Sequence, residues 1–274
     1  MELRNIDRIC PSSGATLNLE EQAGLEVAMV QRKREENLAG KFLFWGKIYG
    51  ATQDYLIVSV ITTAGDFPEK KYYYCTTGDY VLRALPELSE DYESQAQALS
   101  VRFTGDPSFF NFSGADDAEV EEEDPEAPPV ERFREVHRLS YVVQNIDHDC
   151  ALAPKGSLVI DAGKRVVFNP YYPGLSFHTS ADLRAYYHFR MPESAQGLAV
   201  LKKPGIVKAD FLDCITKDAP SDIWSVSHDS AGSVAFVRNL YWQGYHFYAA
   251  IDSQEYGGAY FGSGVAQTDI AFML

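Results

Sequence analysis

Arg238-Asn-Leu-Tyr-Trp-Gln-Gly-Tyr-His-Phe247 and, shortly after it, Tyr256-Gly-Gly-Ala-Tyr-Phe-Gly-Ser-Gly264 decide the fold class. Aromatic residues suit the pleated, half-buried surface of a strand, and the glycines at 244, 257, 258, 262 and 264 suit turns. The segment therefore predicts antiparallel strands meeting at tight turns. Val234, Phe236, Leu240 and Trp242 fall on one face with Arg238, the alternation of a half-buried strand, and Gln243-Gly244 is short enough for a two-residue hairpin loop. Asp229-Ser-Ala-Gly232 predicts the turn back to a strand at Trp224-Ser-Val-Ser-His228. The run carries no nucleophile, metal cluster or phosphate loop. It offers rings and backbone, the materials of packing and docking.

Working outward, Phe42 to Gly50, Tyr55 to Ile61 and Tyr72 to Thr76 are rich in aromatic and β-branched residues and predict three more strands, beginning at 42. Before them lies an amphipathic helix over 18–34. Asn18 caps it, Glu20 and Glu21 suit the positive end of its dipole, and Arg32, Lys33 and Arg34 suit the negative end. Leu19, Ala23, Val27 and Val30 recur at helical spacing and predict the inward stripe of a core-covering helix. Leu88 to Leu99 reads as helical. Arg132 to Val143 fits either a helix or a strand, and its type stays open. Ala151 to Ile160 and Arg165 to Phe168 read as strands around Gly156 and Gly163, and Ser180 caps a short helix carrying Leu183, Tyr186, Tyr187 and Arg190.

Residues 113–131 differ in kind. Acidic side chains from Asp116 to Glu131 accumulate with Pro125, Pro128 and Pro129 and no base, the composition of a disordered or extended acidic loop, read as a solubilising surface insertion in preference to an acidic docking tail or cation site. The chain therefore divides into an α+β half over 1–112, the acidic loop over 113–131, and a β-rich half over 132–274, the two halves able to form one composite domain. The expected class is α+β, with an N-terminal amphipathic helix, mainly antiparallel sheets and a few short helices.

Thirty-nine acids against twenty-four bases give a net charge of −15, which repels nucleic acid and anionic lipid, so neither is an expected partner. Cys10, Cys75, Cys150 and Cys214 are too widely spaced for a zinc site or a disulfide framework, and no run reaches signal-peptide or membrane-span character. These features predict a soluble intracellular protein without a cofactor or metal. No Walker or dinucleotide glycine pattern is present, and no two of the six histidines have zincin spacing. Asp147-His-Asp149 beside Cys150 is the one polar cluster. In an extended chain His148 and Cys150 would share a side as base and thiolate, but a surface turn before Ala151 accounts for them better. Trp45, Trp224 and Trp242 read as core residues with satisfied indole N–H groups.

Phe44-Trp-Gly-Lys-Ile-Tyr-Gly50 with Asp54-Tyr55, Gly105-Asp-Pro-Ser108, Tyr187-His-Phe-Arg190 before Pro192, the set Arg238, Leu240, Trp242, Gly244, Phe247 and Tyr248, and the ending Phe272-Met-Leu274 occur in order along nearly the whole chain. In this set the chain resembles the radial spoke head protein 4/6/9 family. Gln243 stands where that pattern has proline. The resemblance implies a non-catalytic structural subunit of the radial spoke head in the axoneme of motile cilia and flagella, assembled with spoke head proteins 4 and 6 and relaying central-pair signals to dynein. The expected docking rings are Tyr245, Phe247, Tyr260 and Phe261. The competing expectation is a small-molecule-binding or enzymatic α+β protein using the Trp242 region or His148 and Cys150.

Overall fold

Four strands from each end of the chain meet in one sheet. The computed structural model describes residues 1–37, 40–110, 112, 132–202 and 210–270. The first group is β1 (Lys41–Ile48), β2 (Tyr55–Thr62), β3 (Glu69–Thr76) and the short β4 (Arg83–Ala84). Four short strands lie off the main sheet as two antiparallel pairs: β5 (Leu152–Pro154) with β8 (Tyr186–His188), and β6 (Leu158–Ile160) with β7 (Val166–Phe168). The last group is β9 (Trp224–His228), β10 (Val234–Asn239), β11 (Tyr245–Ala250) and β12 (Tyr256–Gly262). The eight-stranded order is β4-β3-β2-β1-β12-β11-β10-β9. Every neighbouring pair is antiparallel except β1 with β12, a parallel seam confined to Gly46, Lys47 and Ile48 against Tyr260, Phe261 and Gly262. Gly46 permits the seam, because a Cβ there would collide with the Tyr260 backbone. The class is α+β.

A bulge at Trp45 divides β1 between two layers. The register passes from Phe44 opposite Val58 to Gly46 opposite Ile57, which leaves Trp45 as the extra residue and inverts the facing of the strand beyond it. Phe44 and Tyr49 therefore join the core on one side of the sheet, while Trp45 and Ile48 join the core on the other.

The first side is covered by the N-terminal segment, α1 (Cys10–Ser13) and α2 (Leu19–Glu35). Asn18 and Glu21 form a reciprocal capping box, Oδ1 of Asn18 accepting from the Glu21 N–H at 2.8 Å and Glu21 Oε2 from the Asn18 N–H at 3.0 Å. The expected inward stripe is overturned. Glu21, Leu25 and Ala28 are buried, whereas Leu19, Ala23, Val27 and Val30 face outward. The helix carries apolar residues on both sides. The Tyr80 ring packed against Gly24 and an ion pair from Glu21 to Lys47 choose which side goes in.

The second side is covered by α4 (Glu135–Cys150), with α3 (Glu90–Ala98) packed on it, and by Leu152, Leu175, Ala185, Tyr186, Ile215 and Ile223 from the segments around α5 (Phe177–Ser180), while α6 (Ala195–Leu201) packs in a separate small cluster with Ile160, Phe189 and Phe211. Leu139, Val142, Val143, Ile146 and Cys150 form the buried stripe of α4. That settles the open type as helix from Glu135 onward and makes Asp147 to Asp149 its last turn, where a surface turn was expected. Ser180 closes α5 and Ser176 caps it, while Tyr186 and Tyr187 belong to β8, where their rings pack as strand residues. β10 is covered on both faces, with Val234 and Phe236 in one core and Val237 in the other. Leu240 and Trp242 lie beyond its end. Residues 240–244 form a longer loop than the two-residue turn expected, in which the Asn239 carboxamide accepts from the Trp242 N–H at 2.7 Å and Gly244 takes φ +105°. The acidic loop of 113–131 and the ending Phe272-Met-Leu274 lie outside the described residues.

Candidate functional site

The last turn of α4 gathers groups from distant parts of the chain. Asp147 Oδ1 accepts from the Trp45 indole N–H at 3.1 Å, and its other oxygen pairs with the Lys70 ammonium. Asp149 Oδ2 accepts from the Trp242 indole at 2.8 Å. Trp224 donates in the same way to Asp218 at 2.7 Å, and Asp218 also holds His188 Nε2 at 2.8 Å. All three tryptophans are thus core residues whose one polar atom is satisfied by an aspartate, as a buried indole requires. Two carboxylates at the negative end of a helix oppose its dipole. Lys70 and the indole N–H groups offset that cost.

The other end of α4 holds a second polar node. Glu135 is fully buried and accepts from the Tyr55 hydroxyl at 2.7 Å and from the N–H groups of Thr104 and Gly105 at 2.8 and 2.9 Å. Burial and this carboxylate push the Tyr55 phenol far above its ordinary value. Arg138 stacks over the Phe103 ring at 4.2 Å and donates to the Val101 carbonyl. Across the sheet, Lys47 reaches Glu21 at 2.7 Å and Asp54 at 3.0 Å. Burial alone would lower the Lys47 ammonium, but the two carboxylates outweigh it and raise it.

Upstream of the seam β1 and β12 part, and a cavity of about 660 Å³ opens between them, lined by Trp45, Lys70, Asp147, Phe189, Tyr245 and Tyr256 among others. Of the basic groups along it, Arg4, Lys41 and Lys70, the Lys70 ammonium is paired with Asp147 and lies 4.6 Å from the centre of the Phe189 ring. His148 and Cys150 do not come together. On a helix two positions apart they point to different sides: His148 is exposed and contacts Asp149 at 3.1 Å and Glu193 at 2.9 Å, while burial pushes the Cys150 thiol well up. Among the described residues no group of three or more His, Cys, Asp or Glu side chains is placed to hold a metal. No described helix is long and apolar enough to cross a membrane.

The rings expected to dock a partner are in the core. Phe247 and Tyr260 are fully buried, and Tyr245 and Phe261 are 6% exposed, with Phe261 on the α2 side of the sheet and the other three on the α4 side. Their rings pack within the two cores on either side of the sheet. Among the described residues, exposed apolar side chains include the outward stripe of α2, where Leu19 is 82% and Val27 57% exposed, and Tyr171, Phe110 and Val81 elsewhere. Spacing alone identified that stripe but not its direction. Asp147, Asp149 and Glu135 left no local signal, because their partners lie about 30 to 100 residues away in sequence, whereas Asp218 is six residues from Trp224.

No protein-family model matches the chain. A radial spoke head protein 9 homolog from Danio rerio is 32% identical over 270 residues, spanning 97% of this chain and 96% of that protein. The homologs of that name from Bos taurus and Homo sapiens are 30% and 29% identical over 269 residues, with the same coverage. At such identity along nearly the full length of both proteins, the chain belongs to the radial spoke head protein 9 family.

Proposed function

We propose that the chain is a non-catalytic structural subunit of the radial spoke head in the axoneme of motile cilia and flagella. It assembles with other spoke head proteins, among them proteins 4 and 6, and helps to pass mechanical signals from the central pair to the dynein arms. The observation that carries this reading is the full-length likeness to radial spoke head protein 9 homologs. The physical design agrees with it. The polar groups that the sequence marked as chemistry are spent on fixing helices to a sheet, as in Asp147 with Trp45 and Lys70, which suits a part that must transmit force without deforming.

A tagged chain expressed in ciliated cells tests the reading. It is expected to stay with the axoneme after detergent removes the ciliary membrane, and to be lost from axonemes that lack radial spokes. Full release with the membrane and matrix fraction would contradict it. A second reading, binding of a small molecule, is favoured by the aromatic cavity beside Lys70. A screen of aromatic carboxylates for thermal stabilisation that is abolished by Lys70→Met would support that alternative.

A further inference from the structure

We propose that the cavity between β1 and β12 binds a neutral aromatic molecule carrying a carbonyl or hydroxyl oxygen, its ring among the aromatic walls and its oxygen on Lys70. The inference rests on the small-molecule reading of the cavity and needs no spoke head partner. A space of about 660 Å³ falls within the range of ligand pockets. Trp45 from β1, Tyr245 from β11, Tyr256 from β12 and Phe189 just beyond β8 line it. An aromatic body gains stacked or edge-to-face contacts there and releases water from apolar surface. It also spans the gap that opens where β1 and β12 part, so a ligand in this place suits a structural subunit.

The charges along the walls decide the charge of the ligand. Both Asp147 oxygens are engaged, one by the Trp45 indole at 3.1 Å and the other by the Lys70 ammonium. At the rim, Arg4 and Lys41 both pair with Glu2, at 2.6 and 2.8 Å, and Glu255 is held by Arg8 at 3.5 Å. No charge among these is left without its opposite. The side chains of Lys70 and Asp147 are only 12% and 13% exposed, so charges act on one another strongly there. A ligand carboxylate laid on Lys70 meets Asp147, and a ligand ammonium laid on Asp147 meets Lys70. Either ion also gives up its water shell for a wall whose charges are already paired. A neutral oxygen avoids both costs. Lys70 has a donor for it, because an ammonium carries three N–H groups and its one hydrogen-bond acceptor here is Asp147. The Phe189 ring beneath the ammonium, 4.6 Å from it, takes the charge without using up its donors.

Calorimetric titration of the full chain compares 2-acetylnaphthalene with naphthalene, 2-naphthoate and 2-naphthylmethylammonium. Salt at about 0.15 M screens the net charge of the chain, so that the two ions report on the cavity. The neutral ketone is expected to bind about fivefold more tightly than naphthalene, the worth of one hydrogen bond, and about tenfold more tightly than either ion. Lys70→Met is expected to erase the preference over naphthalene while naphthalene still binds. Where the lone carboxylate unfolds that variant, Lys70→Met combined with Asp147→Asn gives the same readout in a neutral site. A ketone no tighter than naphthalene, or no tighter than either ion, would overturn the proposal and leave the small-molecule reading standing. A ketone preference that survives the loss of Lys70 would also overturn it, because the oxygen then lies elsewhere. No binding by any of the four compounds would overturn the small-molecule reading along with it. The spoke head reading is judged apart from all of these, by retention of the tagged chain in the axoneme.

Discussion

His246 couples charge to folding. Burial, reinforced by Arg238, lowers its imidazole to about 4, and its Nδ1 lies 3.0 Å from the Ser12 hydroxyl. The folded state therefore holds fewer protons than the unfolded chain between about 4 and the ordinary value of 6.5. The stability this site supports is complete above pH 6.5 and is lost as the pH falls toward 4, by roughly 3 kcal/mol at most. Urea unfolding of the parent chain at pH 7 and pH 4.5 measures the loss, and His246→Asn is expected to flatten that part of the profile. Glu135 supplies a second residue-scale prediction. Glu135→Gln keeps the shape but weakens a buried acceptor that serves Tyr55, Thr104 and Gly105, so it is expected to cost about 2–3 kcal/mol in the same assay. Neither role shows in the neighbouring sequence, because a carboxylate at a helix start looks the same whether it is solvated or buried under a loop from thirty residues earlier.

At the scale of elements, α2 separates the features that spacing reveals from those it cannot. Its cap, its first-turn acids and its last-turn bases were legible, since each acts within one turn. Its inward face was not. Leu25 and Ala28 compete with Leu19, Ala23, Val27 and Val30, and the decision comes from Tyr80 and Lys47, which the fold brings in from elsewhere. The two faces predict opposite mutational costs. Leu25→Ala empties a core site and is expected to destabilise by about 2–5 kcal/mol, and Asn18→Ala by about 1 kcal/mol. Val27→Glu, on the open face, is expected to change stability by no more than about 0.5 kcal/mol. α4 shows the same limit from another side: its valines suit a strand, yet the buried series from Leu139 to Cys150 makes it a helix, because tertiary packing outweighs a small propensity difference.

For the whole molecule, the seam between β1 and β12 is the critical joint. The strand-rich, turn-punctuated composition made the antiparallel groups at each end legible, but the parallel pairing joins residues over two hundred positions apart and has no local signature. We propose that the two halves form one composite domain on this seam. Fragments 1–112 and 132–274 are then expected to lack a cooperative thermal transition when expressed alone, and Gly46→Val in the full chain, which drives a side chain into Tyr260, is expected to cost more than about 3 kcal/mol. Two of the docking rings read from the C-terminal run belong to this joint, and the other two, Tyr245 and Phe247, lie on the neighbouring β11. Tyr260 and Phe261 pair across the joint with Gly46 and Lys47, so part of the run most suggestive of partner contact lies where strands from the two ends of the chain meet. The central claim, membership of a spoke head assembly, is tested most directly by co-expressing the full chain with radial spoke head proteins 4 and 6 and purifying through a tag on one of them. The account predicts a single complex that contains the chain and survives size-exclusion chromatography. A folded chain that elutes apart from both, at every salt concentration tried, would contradict it.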